Sequence, residues 1–431
     1  MNVYLEFLGC RLNEAEQSSW QREFQRLGHS VVANPEQAHV MAVNTCAVTG
    51  EASKKSRKLL KDLHHQNPQA KLVATGCYAT LQAKEIAENM SVDMVVPNAD
   101  KSQMAERILT AWGEDMPIAA QQPDAQPAFA QSRTRAFIKV QDGCRNRCSF
   151  CIVSTARGEE RSRHIAEIVN EINQLHEMGH QEVILTGVHL GGYGSDIGSD
   201  LRLLLTGILE HTSIPRIRLG SLEPWDFPLD FLELWNNPRL CPHLHLPLQS
   251  GSDTVLRRMI RRCSVQEYKH IVELARQQNP LFHITSDLIV GFPGETEKEF
   301  AETLANIQDI SFGDMHFFSY SSRAGTPASR MQGQIPKHVI KDRIQQIKPI
   351  VQAMKLQFWQ QNLGQTESVL WERDSVLAEQ NGIFRWSGYT RNYIRVQCSS
   401  SELLFNTIRP VYLEKIQSID TENVFIVHNI L

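Results

Sequence analysis

The residues best equipped for chemistry lie in the run Asp142-Gly143-Cys144-Arg145-Asn146-Arg147-Cys148-Ser149-Phe150-Cys151, where three cysteines fall within eight residues at the spacing C-x3-C-x2-C. A loop of that length wraps one soft-metal centre, because thiolates suit iron–sulfur clusters and zinc. A cubane has four irons, so three thiolates leave one iron open. An open position is what distinguishes a catalytic metal site from a structural one. Gly143 lets the backbone come close. Arg145, Arg147 and Arg157 are expected to favour thiolate over thiol and to offset cluster charge. The same spacing also fits a zinc knuckle lacking one ligand, or three unrelated thiols, although no His or Cys follows at zinc spacing.

A second set is Cys10, Cys46 and Cys77, each at the end of an apolar strand pattern. In open parallel sheets, ligands bind beyond the carboxyl ends of the strands. Thiols placed equivalently on neighbouring strands converge, again giving three ligands and an open iron. The alternative is that buried cysteines act as small hydrophobes and happen to fall there.

The elements that must position these thiols follow from periodicity. Strands at 3–8, 40–43, 71–75 and 92–96, alternating with helices at 14–27 and 51–64, predict a small parallel α/β sheet over residues 1–113. The helix at 51–64 is basic. Residues 114–132, with Pro117, Pro123 and Pro127 among Ala, Gln and Asp, read as a linker. Residues 133–362 repeat a strand–helix unit about six times, with strands at 136–141, 182–186, 216–221, 243–248, 283–290 and 315–320. Six units are too few for an eight-stranded barrel, so a partial, open one is expected, with its chemistry at the carboxyl ends of the strands. The first cysteine loop follows the first of these strands. Glycine-bearing loops follow others: Thr186-Gly187-Val188-His189-Leu190-Gly191-Gly192, Pro247-Leu248-Gln249-Ser250-Gly251, Asp287-Leu288-Ile289-Val290-Gly291-Phe292-Pro293-Gly294 and Ser319-Tyr320-Ser321-Ser322-Arg323-Ala324-Gly325-Thr326-Pro327.

A long helix is expected over 336–361. Residues 363–431 change to short strands at 367–371, 375–379, 384–387, 393–396, 411–416 and 424–427, with turns at Asn381-Gly382 and Gly388, which reads as a small β-barrel. There Arg385, Trp386, Tyr389, Arg391, Tyr393 and Arg395 mix cations with aromatic faces, the combination that contacts RNA phosphates and stacks bases. Cys241, Cys263 and Cys398 read as packing or surface thiols, and His243 and His245 share one side of a strand.

The motif Cys144-x3-Cys148-x2-Cys151 after a strand ending in glycine resembles the radical S-adenosylmethionine (SAM) enzymes. The longer run from Gln141 through Ala156-Arg157-Gly158 resembles their methylthiotransferase subgroup, although Val153-Ser154-Thr155 stands where many members have a proline. Gly9-Cys10-Arg11-Leu12-Asn13, Asn44-Thr45-Cys46 and Thr75-Gly76-Cys77-Tyr78 resemble the three N-terminal cysteine motifs of that subgroup, and Gly388 through Val396 resembles the RNA-binding TRAM domain.

The resemblance implies an α/β protein in three parts: a parallel α/β domain, a partial (β/α)6 barrel and an OB-like TRAM barrel. It implies two [4Fe-4S] clusters, on Cys144, Cys148 and Cys151 and on Cys10, Cys46 and Cys77, with SAM at the first. SAM contacts are expected from Gly187, Gln249, Ser250 and Gly291, and RNA contacts from Arg385, Tyr389, Arg391, Tyr393 and Arg395. The implied reaction is methylthiolation at carbon 2 of N6-threonylcarbamoyladenosine beside the tRNA anticodon, fed by an external electron donor. Isopentenyladenosine or a ribosomal-protein aspartate are alternative substrates. An iron–sulfur electron carrier or RNA-binding scaffold without turnover is the alternative of another class.

Composition sets bounds on these readings. A chain of 431 residues holds about two to four domains. Its 42% hydrophobic content is ordinary for a globular protein, and no apolar run spans a bilayer. The start Met1-Asn2-Val3-Tyr4-Leu5-Glu6 lacks a signal-peptide layout. A cytoplasmic monomer is expected, and nine cysteines there argue for metal or catalysis over disulfides. The net charge of −4 confines any RNA-binding surface to a local patch.

Overall fold

The computed structural model describes residues 1–113, 134–378, 383–419 and 422–427. The expected linker at 114–132 and the turn at Asn381-Gly382 lie outside the described residues. Five parallel strands open the chain: β1 (Asn2–Phe7), β2 (Ser30–Val32), β3 (Val40–Thr45), β4 (Lys71–Thr75) and β5 (Met94–Val96), in the order β2-β1-β3-β4-β5. The central strand β3 is buried along its whole length, as a parallel strand covered on both faces must be. Val40 and Ala42 pack with Trp20 and Phe24 of helix α1 (Arg11–Arg26). Met41 and Val43 pack with Leu60 and Leu63 of helix α2 (Gly50–Gln66). The short edge strand β2 had no counterpart in the sequence reading, because Ser-Val-Val carries too little pattern to register.

The middle of the chain is an open barrel of six parallel strands in chain order. Strands β6 (Arg135–Lys139), Glu182–Thr186 and Arg216–Leu219 form one three-stranded half, and His243–His245, His283–Val290 and Asp314–Ser319 form the other. Isolated parallel bridges, Ile217 to Leu240 and Ser221 to His245, join the halves. Alternate residues such as Ile138, Val183, Leu185, Ile217, Leu244 and Ile284 face the helices in one core. Their neighbours Arg135, Glu182, Arg218, His243, His245 and Asp287 fall on the concave side. Leu229–Asn236 forms a 3-10 helix between the third and fourth strands. The helix Lys337–Gln361 closes this domain, and its Arg343 is buried against Glu295 at 2.8 Å.

The C-terminal part is a six-stranded sheet, antiparallel apart from one pair: Ile408–Tyr412, Thr366–Ala378, Phe384–Thr390, Arg395–Ser400, Glu422–Ile426, Lys415–Ile419 in spatial order. The two strands expected at 367–371 and 375–379 are one strand, irregular between Glu372 and Leu377. Gly388, expected in a turn, lies inside a strand, so close to its neighbour that a Cβ would come 2.5 Å from the Leu370 carbonyl oxygen. Phe358 and Trp359 of the preceding helix belong to this sheet's core, and Trp359 stacks on Phe425 at 5.3 Å.

Candidate functional site

Strands β1, β3 and β4 are neighbours, so the residues following them emerge side by side. Cys10 follows β1, Cys46 follows β3, and Cys77 opens the short helix Gly76–Leu81 after β4. Gly9, at φ +97°, lets the chain pass Cys46 closely: a Cβ at this position would sit 2.5 Å from the Cys46 Sγ. Cys10 is exposed and the other two are buried. Burial pushes the Cys46 thiol up, and the neighbouring Cys10 and Cys77 add to it. Among the described residues no three His, Cys, Asp or Glu side chains draw together around the position of a single metal ion. In a four-iron cluster each cysteine ligates its own iron, so the ligand set is wider than a mononuclear cage.

Beneath this triad lies a buried set of charges shared by two domains. Arg157 donates to Glu16 Oε1 at 3.0 Å, to Asp142 Oδ1 at 2.9 Å and to Asn13 Oδ1 at 2.7 Å. Lys101 reaches Glu16 Oε2 at 2.6 Å and Asn44 Oδ1 at 2.9 Å, and Lys139 reaches Glu16 at 3.2 Å. Burial alone would raise the Glu16 carboxyl, but Lys101, Arg157 and Lys139 outweigh it and hold it well below the usual range. Counting the half-exposed Arg161, 3.8 Å from Asp142, four cations face two carboxylates, an excess of positive charge beside three thiols. That balance suits a set of thiolates and their cluster, whose negative charge would otherwise be costly to bury. Burial disfavours the charged Arg157, but Glu16 and Asp142, with smaller help from Cys77 and Cys10, outweigh it and keep the guanidinium charged.

The second triad sits on the loop after β6. Gly143, at φ +77°, brings the chain so close to Glu159 that a Cβ would collide with its carbonyl. Cys144 N–H donates to the Gly158 carbonyl at 3.0 Å, and Val153 N–H donates to Cys151 Sγ at 3.4 Å. Burial pushes the Cys144 thiol up to about 12 and the Cys151 thiol up to about 11, so metal binding here displaces protons. The expected help from Arg145, Arg147 and Arg157 takes a different form. Arg157 turns to the other triad, and Arg145 is exposed and pairs with Glu160 at 2.6 Å. The cation set against this loop is Arg261, 3.9 Å from Cys148 Sγ, held by Glu223 at 2.6 Å and lying 4.3 Å from the Trp225 ring.

At the rim, His189 bridges Glu160 at 2.6 Å and Asp226 at 2.5 Å. Burial disfavours the imidazolium, but hydrogen bonds to Asp226 and Glu160 outweigh it and raise the histidine's pKa. Gly187 packs on Gln141, whose side chain accepts from the His189 N–H at 2.9 Å. Of the residues expected to touch SAM, Gln249 keeps a left-handed backbone at φ 73°, a conformation that non-glycine residues adopt at functional sites. Ser250 is fully buried, and its hydroxyl meets Thr303 at 3.4 Å in the adjoining helix. The Gly291 N–H is taken by Glu295 at 2.9 Å, and a Cβ there would strike Ile340 of the helix Lys337–Gln361.

The residues expected to meet RNA divide in two. Arg135 lies 4.7 Å from the Tyr389 ring and donates to Tyr393 Oη at 2.9 Å, and Arg218 lies 4.6 Å from the Tyr393 ring. Arg391 donates to the Leu240 carbonyl at 3.3 Å. Tyr389, Arg391 and Tyr393 are therefore engaged in docking the C-terminal sheet on the barrel, contrary to expectation. Arg385 and Arg395 lie on the paired strands, and Arg395 donates to Ser387 Oγ at 3.1 Å. The sequence reading missed Glu16, Lys101 and Arg261. Glu16 left a signal: Asn13, Glu16, Trp20 and Phe24 fall on the buried face of α1, where a carboxylate needs a partner.

Two family models match the chain: the Radical SAM superfamily over residues 138–307 and the uncharacterized protein family UPF0004 over residues 2–97. The chain is 34% identical to a Thermotoga maritima protein named threonylcarbamoyladenosine tRNA methylthiotransferase MtaB, with 98% of this chain and 96% of that protein covered. The Bacillus subtilis protein of the same name is also 34% identical, over 96% of this chain and 94% of its own length. A tRNA-2-methylthio-N(6)-dimethylallyladenosine synthase of Ehrlichia canis is 32% identical, over 95% and 96%. Among solved structures, the radical SAM methyltransferase TsrM of Kitasatospora setae shares the fold at a TM-score of 0.57 and 15% identity, covering 76% of each chain.

Proposed function

The chain belongs to the radical SAM methylthiotransferases of the MtaB type, and from that premise we propose that it adds a methylthio group to carbon 2 of N6-threonylcarbamoyladenosine beside the tRNA anticodon. The observation that carries the proposal is the pair of three-cysteine sets, each at the carboxyl ends of parallel strands, joined across the domain boundary by Arg157.

Cys144, Cys148 and Cys151 would hold the cluster that binds SAM, and Cys10, Cys46 and Cys77 the cluster that handles sulfur. When bound, such a cluster with SAM supplies the radical chemistry that an unactivated aromatic C–H demands. The chain's own part is to hold and insulate. Arg157, Lys101 and Lys139, with Arg161 at the edge, more than neutralise Glu16 and Asp142 and leave an excess of positive charge near the Cys10 triad. Arg261 offsets charge at Cys148. Gln249, left-handed at φ 73° after its barrel strand, would offer SAM a polar contact.

The tRNA would be met at two places. Helix α2 exposes Lys54, Lys55, Arg57, Lys58 and Lys61, a basic ridge suited to phosphates, and Arg385 and Arg395 would extend the contact onto the C-terminal sheet. An external donor would supply electrons.

Mass spectrometry of tRNA nucleosides from a deletion strain tests the reading. Loss of the 2-methylthio form of threonylcarbamoyladenosine, with its unthiolated parent accumulating, is expected. Loss of the dimethylallyl counterpart instead would move the enzyme to the substrate that the Ehrlichia canis name carries.

A further inference from the structure

A cavity of about 370 Å³ opens between helix α2, the segments that follow Cys46, Cys77 and Cys151, and the loop after the last barrel strand. Its wall includes Ala47, Tyr78 and Ile152, the residues directly after those cysteines. It therefore lies beside the chain segments that carry both triads. The wall also carries two guanidiniums, Arg57 from α2 and Arg323 from the loop after the last barrel strand, against one carboxylate, Glu85. Arg57 is steadied by Tyr78, donating to its hydroxyl at 3.2 Å, and meets Glu85 only at 3.5 Å with both side chains well exposed. A pair of that kind is weak and easily exchanged. Arg323 is tied across the domain boundary to Ser53 Oγ at 2.9 Å, while its Nε is buried with no hydrogen-bond partner in the structure. A buried donor left unmatched costs free energy unless something fills it. The beginning of α2 is fastened to the same loop, with Gly50 N–H donating to Ser321 Oγ at 3.2 Å.

A threonylcarbamoyl group ends in a free carboxylate, whereas a dimethylallyl group is hydrocarbon throughout. A cavity with one surplus guanidinium and an unmatched N–H suits the first and gains nothing from the second. Resting on the proposed substrate, we infer that this cavity receives the modified adenine and that Arg57 and Arg323 bind the carboxylate of its threonylcarbamoyl substituent, making them specificity-determining residues. Guanidinium suits this task because its planar fork meets a carboxylate bidentately. Arg57 lies on the same helix as the basic ridge, so phosphate contacts along α2 would bring the RNA to the cavity's edge.

The test is binding, separate from turnover. Cluster-reconstituted protein is titrated with three anticodon stem-loops that differ only in the adenosine beside the anticodon: unmodified, threonylcarbamoylated or dimethylallylated. The wild type is expected to prefer the threonylcarbamoyl form by roughly tenfold or more, as a charge-assisted pair allows. Taking the ratio to the unmodified loop cancels any effect on backbone contacts. Arg57→Gln and Arg323→Gln are each expected to bring that ratio to within about twofold of unity, and Arg57→Lys to retain part of it. Arg57 is exposed, so its substitution leaves the fold intact even if Arg323→Gln loosens the contact with Ser53. A wild-type preference that survives both Gln variants overturns the inference and leaves the substrate reading standing. A wild type that does not favour the threonylcarbamoyl loop over the dimethylallyl one overturns both.

Discussion

Without the Arg157 guanidinium, Glu16 and Asp142 would remain buried with Lys101, Lys139 and the half-exposed Arg161 to balance them, and Asn13 would lose its guanidinium donor. Breaking a buried charge set by removing one partner costs about 3–5 kcal/mol. Arg157→Met is therefore expected to lower the melting temperature markedly, and Asp142→Asn in the same chain to recover part of the loss, because Asp142 loses its close buried partner whereas Glu16 keeps Lys101. A melt of Arg157→Met equal to wild type would show that the network bears little of the fold. His189 makes a prediction with a pH signature. Its carboxylate partners raise its folded pKa above the ordinary value of about 6.5. The stability it contributes is complete below that ordinary value and is lost as pH rises through the higher folded value. His189→Asn should thus cost more stability at pH 6 than at pH 9, and chemical denaturation at both pH values checks this. An equal cost at both would mean that the imidazole works by hydrogen bonding alone.

At the scale of elements, the cysteine loop depends on a backbone geometry only glycine supplies. Gly143→Ala would place a methyl group into the Glu159 carbonyl at a φ of +77°, and the loop would have to open. Half the iron of the wild type, eight atoms falling to about four in reconstituted protein, is the expected result, since the N-terminal triad lies on another sheet. Full iron content would show that the loop absorbs the change elsewhere. This loop was legible in the sequence because its ligands are local. The strands β1, β3 and β4 were legible too, as apolar runs ending in cysteine, and so was the six-strand order of the barrel. Arg261 was not, since its approach to Cys148 spans 113 residues and only the closed barrel brings them together. Ser250 and Gly291 show a related point: a serine and a glycine at a strand end look alike in sequence whether they serve a ligand or a helix packed behind them, and here Thr303 and Ile340 lie against them. Gly388 misled because close strand contact and a turn both select glycine.

The whole molecule is less divisible than three consecutive domains suggest. The C-terminal sheet closes the end of the barrel opposite the cysteine loop. Arg216 donates to the Tyr389 and Ser368 carbonyls at 3.0 and 2.6 Å, His283 Nδ1 meets the Asn392 carbonyl at 2.8 Å, and Arg135 pairs with Glu372 at 2.8 Å. These partners lie 173, 152, 109 and 237 residues apart, which is why the contact left no mark on the sequence pattern. A chain cut after Leu363 would leave Arg135, Arg216 and Arg218 with only Glu182 as a buried carboxylate, and would uncover Phe358 and Trp359. Such a chain is expected to aggregate, so its failure to bind tRNA would say nothing about where tRNA binds. The informative variant keeps the full length. Tyr389→Ala with Tyr393→Ala removes the rings stacked near Arg135 and Arg218, at a cost of roughly 1–4 kcal/mol in stability for the pair. Because those rings face the barrel, affinity for an anticodon stem-loop should stay within about threefold of wild type at a temperature where the variant is folded. Base stacking on a tyrosine is worth about 1–3 kcal/mol per base, so a loss of tenfold or more in affinity, with the melt unchanged, would return these residues to the RNA surface that their composition first suggested.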